Sequence, residues 1–316
     1  RPKRMSKRII FTAADANYFT QAAVLVKSLA ITQLESTHLI VFGNGWTASQ
    51  IKSLLTFQSE LVTVEVRAVE VGELSGINSP GFPLATAYNV IAPKFLLRDY
   101  SRAIYVDADI VILDDLKEAW DQKLVTPLSA VIDSHVGFIG FPSMWRPWQE
   151  ENLNPLAPYL NTGFMVMDLD AWRHDELTEK CLYFLNKYSL PCVDQDALNF
   201  ALNGEFDHLH PRFNLMPFHL MTKLRTAVVL EPPGEIAQAI SSPAMIHFHR
   251  SFLGKPWIRG CSHPAMKLWE DLATQVNPKW KRGNDIVGFI KSVVAKRAGM
   301  TVLDPMSDSL RNLKIG

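Results

Sequence analysis

Cysteine is nearly absent: Cys181, Cys192 and Cys261 are the only three in 316 residues. An odd number with no Cys-x-x-Cys pair argues against a disulfide framework or a cysteine zinc site, and fits a reducing compartment. Missing too is any apolar run of the roughly 18 residues that a membrane-crossing helix needs. The basic stretch from Arg1 to Arg8 is not followed by the apolar centre of a secretory signal. Together these absences lead to the expectation of a cytoplasmic protein. Charge of one sign is not in excess either, since 32 Lys and Arg balance 32 Asp and Glu. No basic footprint for a nucleic-acid partner exists, so nucleic acid is not an expected ligand. What the chain does have is 47% apolar residues, enough for the core of one large domain.

The first half alternates strand-like and helix-like segments, the rhythm of an α/β sheet with crossover helices. Arg8 to Thr12 reads as a strand, Phe19 to Thr32 as a helix and His38 to Phe42 as a second strand closing on Gly43-Asn44-Gly45. Thr47 is a candidate N-cap for a helix over Ile51 to Phe57, and Val62 to Val66 is a third strand. Gly72 to Pro83 is rich in Gly, Ser and Pro and predicts a loop. Helical spacing then covers Thr86 to Leu97 despite Pro93, and later Leu169 to Tyr188 and Asp196 to Leu202. Further strands are predicted at Arg102 to Val106, Ile110 to Leu113, Leu128 to Ile132, Phe164 to Met167 and Ala244 to Phe248. With no linker-like shift in composition, one domain over residues 1–265 with a helical C-terminal extension over 266–316 is expected.

Asp107-Ala108-Asp109 ends the buried strand Arg102 to Val106 with two carboxylates. A divalent cation with hard oxygen ligands, shared with phosphate oxygens, would compensate such charges; a solvated turn is the ordinary alternative. Tyr159-Leu160-Asn161-Thr162-Gly163 puts a polar, Gly-containing loop at a sheet edge, where small ligands bind; the Asn also fits a turn cap. Asp194-Gln195-Asp196 opens a helix, where one acidic residue serves as a cap. The full run also offers an anion for an oxocarbenium-like centre and an amide to orient hydroxyls. Finally, His247 and His249 end an apolar strand and Lys255-Pro256-Trp257 follows. An imidazole there suits a transition metal such as Mn²⁺ or a hydrogen-bonded core position, and the Lys255 ammonium suits a departing diphosphate.

In order and spacing these motifs, with Thr12-Ala13-Ala14-Asp15-Ala16-Asn17-Tyr18 after the first strand, resemble those of glycosyltransferase family 8 over residues 8–260. The resemblance implies an α/β GT-A fold: a single Rossmann-like nucleotide-binding domain with a mixed central sheet and a helical C-terminal tail. It implies retaining transfer of a hexose, glucose or galactose, from a UDP-sugar to a hydroxyl of a glycan or glycolipid acceptor. The implied cofactor is Mn²⁺, with Mg²⁺ as an alternative. Carried over residue by residue, Ala13, Asp15, Asn17 and Tyr18 would line the uridine pocket, and Asp107, Asp109 and His247 would bind the metal. Asp133, Asn161, Asp194 and Gln195 would face the transferred sugar, the last two as the catalytic pair, and Lys255 would contact the diphosphate.

Two departures stand out. The family often has Arg or Lys where this chain has Val90, so either Lys94 or Arg98 substitutes or the donor phosphates are held differently. His249 has the more usual spacing to Lys-Pro-Trp, whereas Ala244 to Phe248 matches the strand that delivers the ligand and favours His247. Same-face attack by the acceptor and a double displacement through Asp194 or Gln195 both stay open. So do a sugar-nucleotide-binding protein without catalysis and a metal-dependent nucleotide-diphosphate hydrolase. Lys279, Lys281, Arg282, Lys291, Lys296 and Arg297 surround Ile286, Val287, Phe289, Ile290, Val293 and Val294. That basic amphipathic pattern fits either peripheral contact with a membrane face or a terminal helix packed on its own domain.

Overall fold

The computed structural model describes residues 7–68, 84–96, 100–141, 147–221, 229–283, 286–298, 303 and 305–315. The expected loop at Gly72 to Pro83 lies outside them, as does Arg98. In chain order the elements are β1 (Arg8–Asp15), α1 (Phe19–Thr32), β2 (Thr37–Asn44), α2 (Ala48–Leu55), β3 (Val62–Ala68), α3 (Tyr88–Leu96), β4 (Arg102–Val106) and β5 (Ile110–Ile112). There follow α4 (Lys117–Asp121), β6 (Leu128–Ile132), β7 (Leu160–Asp168), α5 (Leu169–His174), α6 (Leu177–Lys187), α7 (Val193–Leu202) and β8 (Asp207–His208). The last are α8 (Pro233–Ser241), β9 (Met245–His247), α9 (Met266–Val276) and α10 (Ile286–Arg297).

Seven strands form the central sheet in the order β3-β2-β1-β4-β7-β6-β8. Neighbours run parallel except across β7, which is antiparallel to both β4 and β6. The mixed sheet agrees with the sequence reading. Its strands read as continuous apolar runs because both faces are covered. Ile9 and Phe11 of β1, Phe42 of β2, Tyr105 of β4 and Met165 of β7 pack on the side of α3, α6 and α7. Their chain neighbours Ile10, Val41, Ile104 and Val166 pack on the side of α1. The strand period of two thus sorts one sequence into two cores. A third cluster joins Val24 of α1 to Trp269 and Leu272 of α9, so the segment after residue 265 packs on the same helix that covers the sheet.

Local chemistry accounts for several boundaries. The Thr47 hydroxyl accepts from the Gln50 backbone N–H, and the Gln50 side chain answers the Thr47 N–H, a reciprocal cap that starts α2 at Ala48. The helix expected over Leu169 to Tyr188 is two helices, because Glu176 adopts a left-handed backbone (φ 53°) between α5 and α6. Apolar spacing runs through the break, with Leu169, Trp172, Leu177 and Cys181 all buried, so the pattern conceals it. Several bounds also move: β1 reaches Asp15, three residues past the expected end, α7 begins at Val193, and β7 begins at Leu160, so that Asn161 to Gly163, expected as a loop, are part of the strand.

Candidate active site

The strands that deliver the candidate side chains bring them together at one end of the central sheet. β1 and β4 are parallel neighbours, Phe11 opposite Tyr105, so the residues after each emerge side by side. This is where the strand order reverses, the crevice in which open α/β sheets hold ligands. β7 runs the other way, so its first residues, Asn161 to Gly163, reach the same end; the Asp107 N–H donates to the Gly163 carbonyl at 2.8 Å. Asp133 follows β6 and donates its N–H to the Tyr159 carbonyl at 2.8 Å. β9 pairs antiparallel with β5, Ile110 opposite His247, which draws the imidazole onto the Asp-x-Asp turn.

There the His247 Nε2 lies 3.2 Å from an Asp109 oxygen and 3.5 Å from an Asp107 oxygen. The candidate ligand atoms of the three residues all fall within 4.8 Å of one another. Two carboxylates and an imidazole form a donor set that fits a divalent cation. Lys255 also bonds Asp109 through its ammonium, and the Tyr105 hydroxyl donates to Asp107 at 2.6 Å. Burial works against an ionised Asp109, but Lys255 and His247 outweigh it and hold this carboxyl well below the usual range. Asp107 goes the other way, raised by burial and by the negative charge of Asp109. Gly163 is required by close approach: a Cβ there would stand 2.3 Å from His247 Cε1 and 2.7 Å from its Nδ1.

A second polar group lies alongside. The Asn161 amide donates to Asp133 and to the Gln195 carbonyl oxygen, both at 3.0 Å, and Gln195 Nε2 donates to Asp133 at 3.2 Å. The Thr162 N–H gives the Gln195 oxygen a further bond at 3.2 Å. Asp194 accepts from Asn89 at 2.7 Å and from the Thr162 hydroxyl at 3.1 Å. Burial, opposed by the Asn89 bond and reinforced by Asp107, lifts the Asp194 carboxyl to about 7. Burial also disfavours an ionised Asp133, yet His249, the Asn161 amide and the N–H groups of Val136 and His135 keep it below the usual range. Just before Asp194, Val193 has φ 35°, an uncommon backbone for a β-branched residue, at the turn into α7.

A profile of glycosyl transferase family 8 matches residues 9–261. The chain belongs to this family. General stress protein A of Bacillus subtilis (strain 168) is 28% identical to it over 265 residues, 81% of this chain and 89% of that protein. The lipopolysaccharide 1,2-glucosyltransferase of Escherichia coli (strain K12) is 25% identical over 207 residues, 62% of this chain and 55% of that protein. The chain therefore spans about half the length of that relative. The galactosyltransferase LgtC, solved in complex with donor and acceptor sugar analogs, superposes with a TM-score of 0.71 at 21% identity, covering 85% of this chain and 96% of that one. That likeness gives the family 8 chain the GT-A fold, and the family gives it glycosyl transfer as its class of reaction.

Of the residues singled out from the sequence of this family 8 member, Asp107, Asp109, His247 and Lys255 converge in one cluster, and Asp133, Asn161, Asp194 and Gln195 in the adjoining one. Tyr18 joins the first, its ring centroid 6.0 Å from the Lys255 Nζ and 5.9 Å from that of Trp257. Ala13 and Asp15 lie at the end of β1; an Asp15 oxygen accepts from the N–H groups of Asn17 and Tyr18, shaping the turn, while Asn17 is exposed. Of the two histidines, His247 is the one whose Nε2 lies within 3.5 Å of both aspartates and joins their cluster, while His249 has its Nδ1 at the Arg250 carbonyl. Val90 is fully buried and Lys94 exposed on α3, so among described residues Lys255 is the cation held at the acidic pair. Sequence reasoning missed Asn89, Tyr105 and Asn214, the last bonded to His247 at 2.9 Å and to Asn161 at 2.8 Å. A polar Asn214 inside Phe213-Asn214-Leu215-Met216 was the available signal, because a buried amide must find partners.

Proposed function

We propose that the protein is a retaining hexosyltransferase that takes glucose or galactose from a UDP-sugar, with Mn²⁺ or Mg²⁺, and delivers it to a hydroxyl of a glycan or glycolipid. The observation carrying this reading is the adjacency of a three-ligand cation cluster and a buried group of two carboxylates and two amides. A divalent cation at Asp107, Asp109 and His247 supplies charge that stabilises a diphosphate leaving group. Lys255 adds a second positive charge on the same side, and Ala13, Asp15, Asn17 and Tyr18 line the way in for the uridine. Asp194 provides the negative charge facing the anomeric centre, while Asp133, Asn161 and Gln195 orient sugar hydroxyls.

Gln195 is a poor nucleophile in this arrangement, because its carbonyl oxygen already accepts from Asn161 and the Thr162 N–H. That leaves Asp194 as the candidate nucleophile for a double displacement, and a trapped glycosyl-enzyme adduct would exclude the alternative, same-face attack by the acceptor. The class itself is tested by incubating the protein with Mn²⁺ and a panel of UDP-, GDP- and TDP-sugars and measuring nucleotide release beside Asp109→Ala. Expected is UDP release from one donor, reduced at least roughly 100-fold in the variant. Release of nucleoside monophosphate instead would identify a diphosphate hydrolase, and binding without release from any donor, even with candidate acceptors added, would identify a binding protein.

Among the described residues no helix is long and apolar enough to cross a membrane. We infer peripheral contact through α10, where Phe289, Ile290 and Val294 are 45%, 54% and 59% exposed beside exposed Lys296 and Arg297. Removing the C-terminal segment would also strip Leu310, which is buried in the cluster under α9, so point substitutions are cleaner. Ile290→Glu with Val294→Glu is expected to lower recovery on vesicles containing anionic lipid several-fold, with the melting temperature unchanged. Equal recovery would remove the membrane role.

A further inference from the structure

One side chain, Asn214, bonds both the cation cluster and the sugar-facing cluster, and it is fully buried at the end of the 3-10 turn Pro211–Asn214. Its position is set by backbone: Leu215 bridges Ile246, and the His247 N–H donates to the Leu215 carbonyl at 3.0 Å. Side-chain amides are ambiguous end for end unless a neighbour of fixed polarity decides them. Here the decision starts at the Gly163 N–H, which only donates and bonds Asn161 Oδ1 at 3.0 Å. Asn161 must then present its NH₂ to Asp133 and to the Gln195 oxygen, both acceptors. Its Oδ1 also faces Asn214, so Asn214 turns its NH₂ there at 2.8 Å and its own oxygen to His247 Nδ1 at 2.9 Å. An amide oxygen can only accept, so Nδ1 carries the proton, and Nε2 is left to give its lone pair to a cation.

We propose that Asn214 is a positioning residue that fixes His247 with Nδ1 protonated and locks the cation site to the sugar-facing amides through Asn161. The inference rests on the cation reading of Asp107, Asp109 and His247. It predicts that the two ends of Asn214 can be separated. In Asn214→Asp a carboxylate oxygen still accepts from Nδ1–H, but Asn161 Oδ1 loses its side-chain donor, keeps only the Gly163 N–H, and faces a negative oxygen instead. In Asn214→Ala both ends are lost.

Three readouts on the full chain test this: Mn²⁺ affinity without nucleotide by electron paramagnetic resonance, ¹⁵N correlation spectra of the His247 ring in metal-free protein, and donor hydrolysis kinetics. Expected for Asn214→Ala is Mn²⁺ binding weakened about 10–100-fold, the scale for loss of an outer-sphere partner. For Asn214→Asp, Mn²⁺ binding within about threefold of wild type is expected, with kcat for donor hydrolysis reduced about tenfold or more. Equal weakening of Mn²⁺ binding in both variants, or wild-type affinity in Asn214→Ala, overturns the proposal. If Asn214→Ala does not fold, the native ring decides alone: a proton on Nδ1 upholds it and a bare Nδ1 sinks it. That readout needs no metal, so it stays separate from the broader failure in which the wild-type protein binds no Mn²⁺ at all.

Discussion

Substituting alanine for Gly163 is expected to lower glycosyl transfer by roughly 100-fold or more, the scale at which a displacement of about 1 Å disables a preorganised site. The added methyl would stand 2.3 Å from the Cε1 of a buried imidazole and 2.9 Å from Asn161 Oδ1. The ring has no free direction of escape, since β9 pairing fixes its backbone and Asn214 holds its Nδ1. Either His247 leaves the two aspartates or β7 shifts and takes Asn161 and Thr162 along. Overpacking of this kind also costs about 1–3 kcal/mol of stability. The measurement is nucleotide release together with Mn²⁺ affinity at a temperature where the variant is folded. Wild-type values for both would mean that the close packing of strand and imidazole has no part in the chemistry.

Asp194→Asn is expected to move activity and stability in opposite directions. Transfer should fall by roughly 100-fold or more if this carboxylate faces the anomeric charge. Stability should rise, because the wild-type residue is a buried acid whose carboxyl sits near 7. In the unfolded chain an aspartate releases its proton near 4. Between those values the folded protein binds the proton and the unfolded chain does not, so metal-free stability declines as pH rises from about 4 to about 7 and then levels off. The full penalty above that window is on the order of 2–4 kcal/mol. Asparagine removes the charge and keeps the acceptor, since both Asn89 and Thr162 donate to the same Asp194 oxygen. Thermal melts without metal should show the variant gaining a few degrees at pH 8 and close to nothing at pH 4. An equal gain at both values would trace the effect to packing instead of ionisation.

Much of this was legible in the chain. The β-strands up to Val106 were readable because parallel strands covered on both faces leave long apolar runs, and Asp107-Ala108-Asp109 was readable because charge breaks such a run abruptly. Elements held by tertiary contacts were harder. The Asp207–His208 strand is two residues long, too short for periodicity, and α8 and α9 lie in stretches with no marked motif. Periodicity also failed at Glu176, where a left-handed turn interrupts the backbone without interrupting the apolar spacing. At the site, residues with distinctive chemistry were found, and those that only support them were not. Tyr105 looks like an ordinary strand aromatic until its hydroxyl meets Asp107, and nothing in a linear pattern shows that Asn89 and Asp194 meet.

The convergence of chain-distant strands at one end of the sheet also orders events in time. Lys255 and Asp109 lie 146 residues apart along the chain, and the pairing of β9 with β5 closes a loop nearly as long. Closing so long a loop has a conformational entropy cost that must be met before the contact contributes anything. Contacts of such high separation form slowly. The candidate cation site, which needs His247 beside Asp107 and Asp109, is therefore expected to be completed late in folding. Metal affinity is then expected to double as a clock hand for maturation, appearing with the late pairing of β9 and β5.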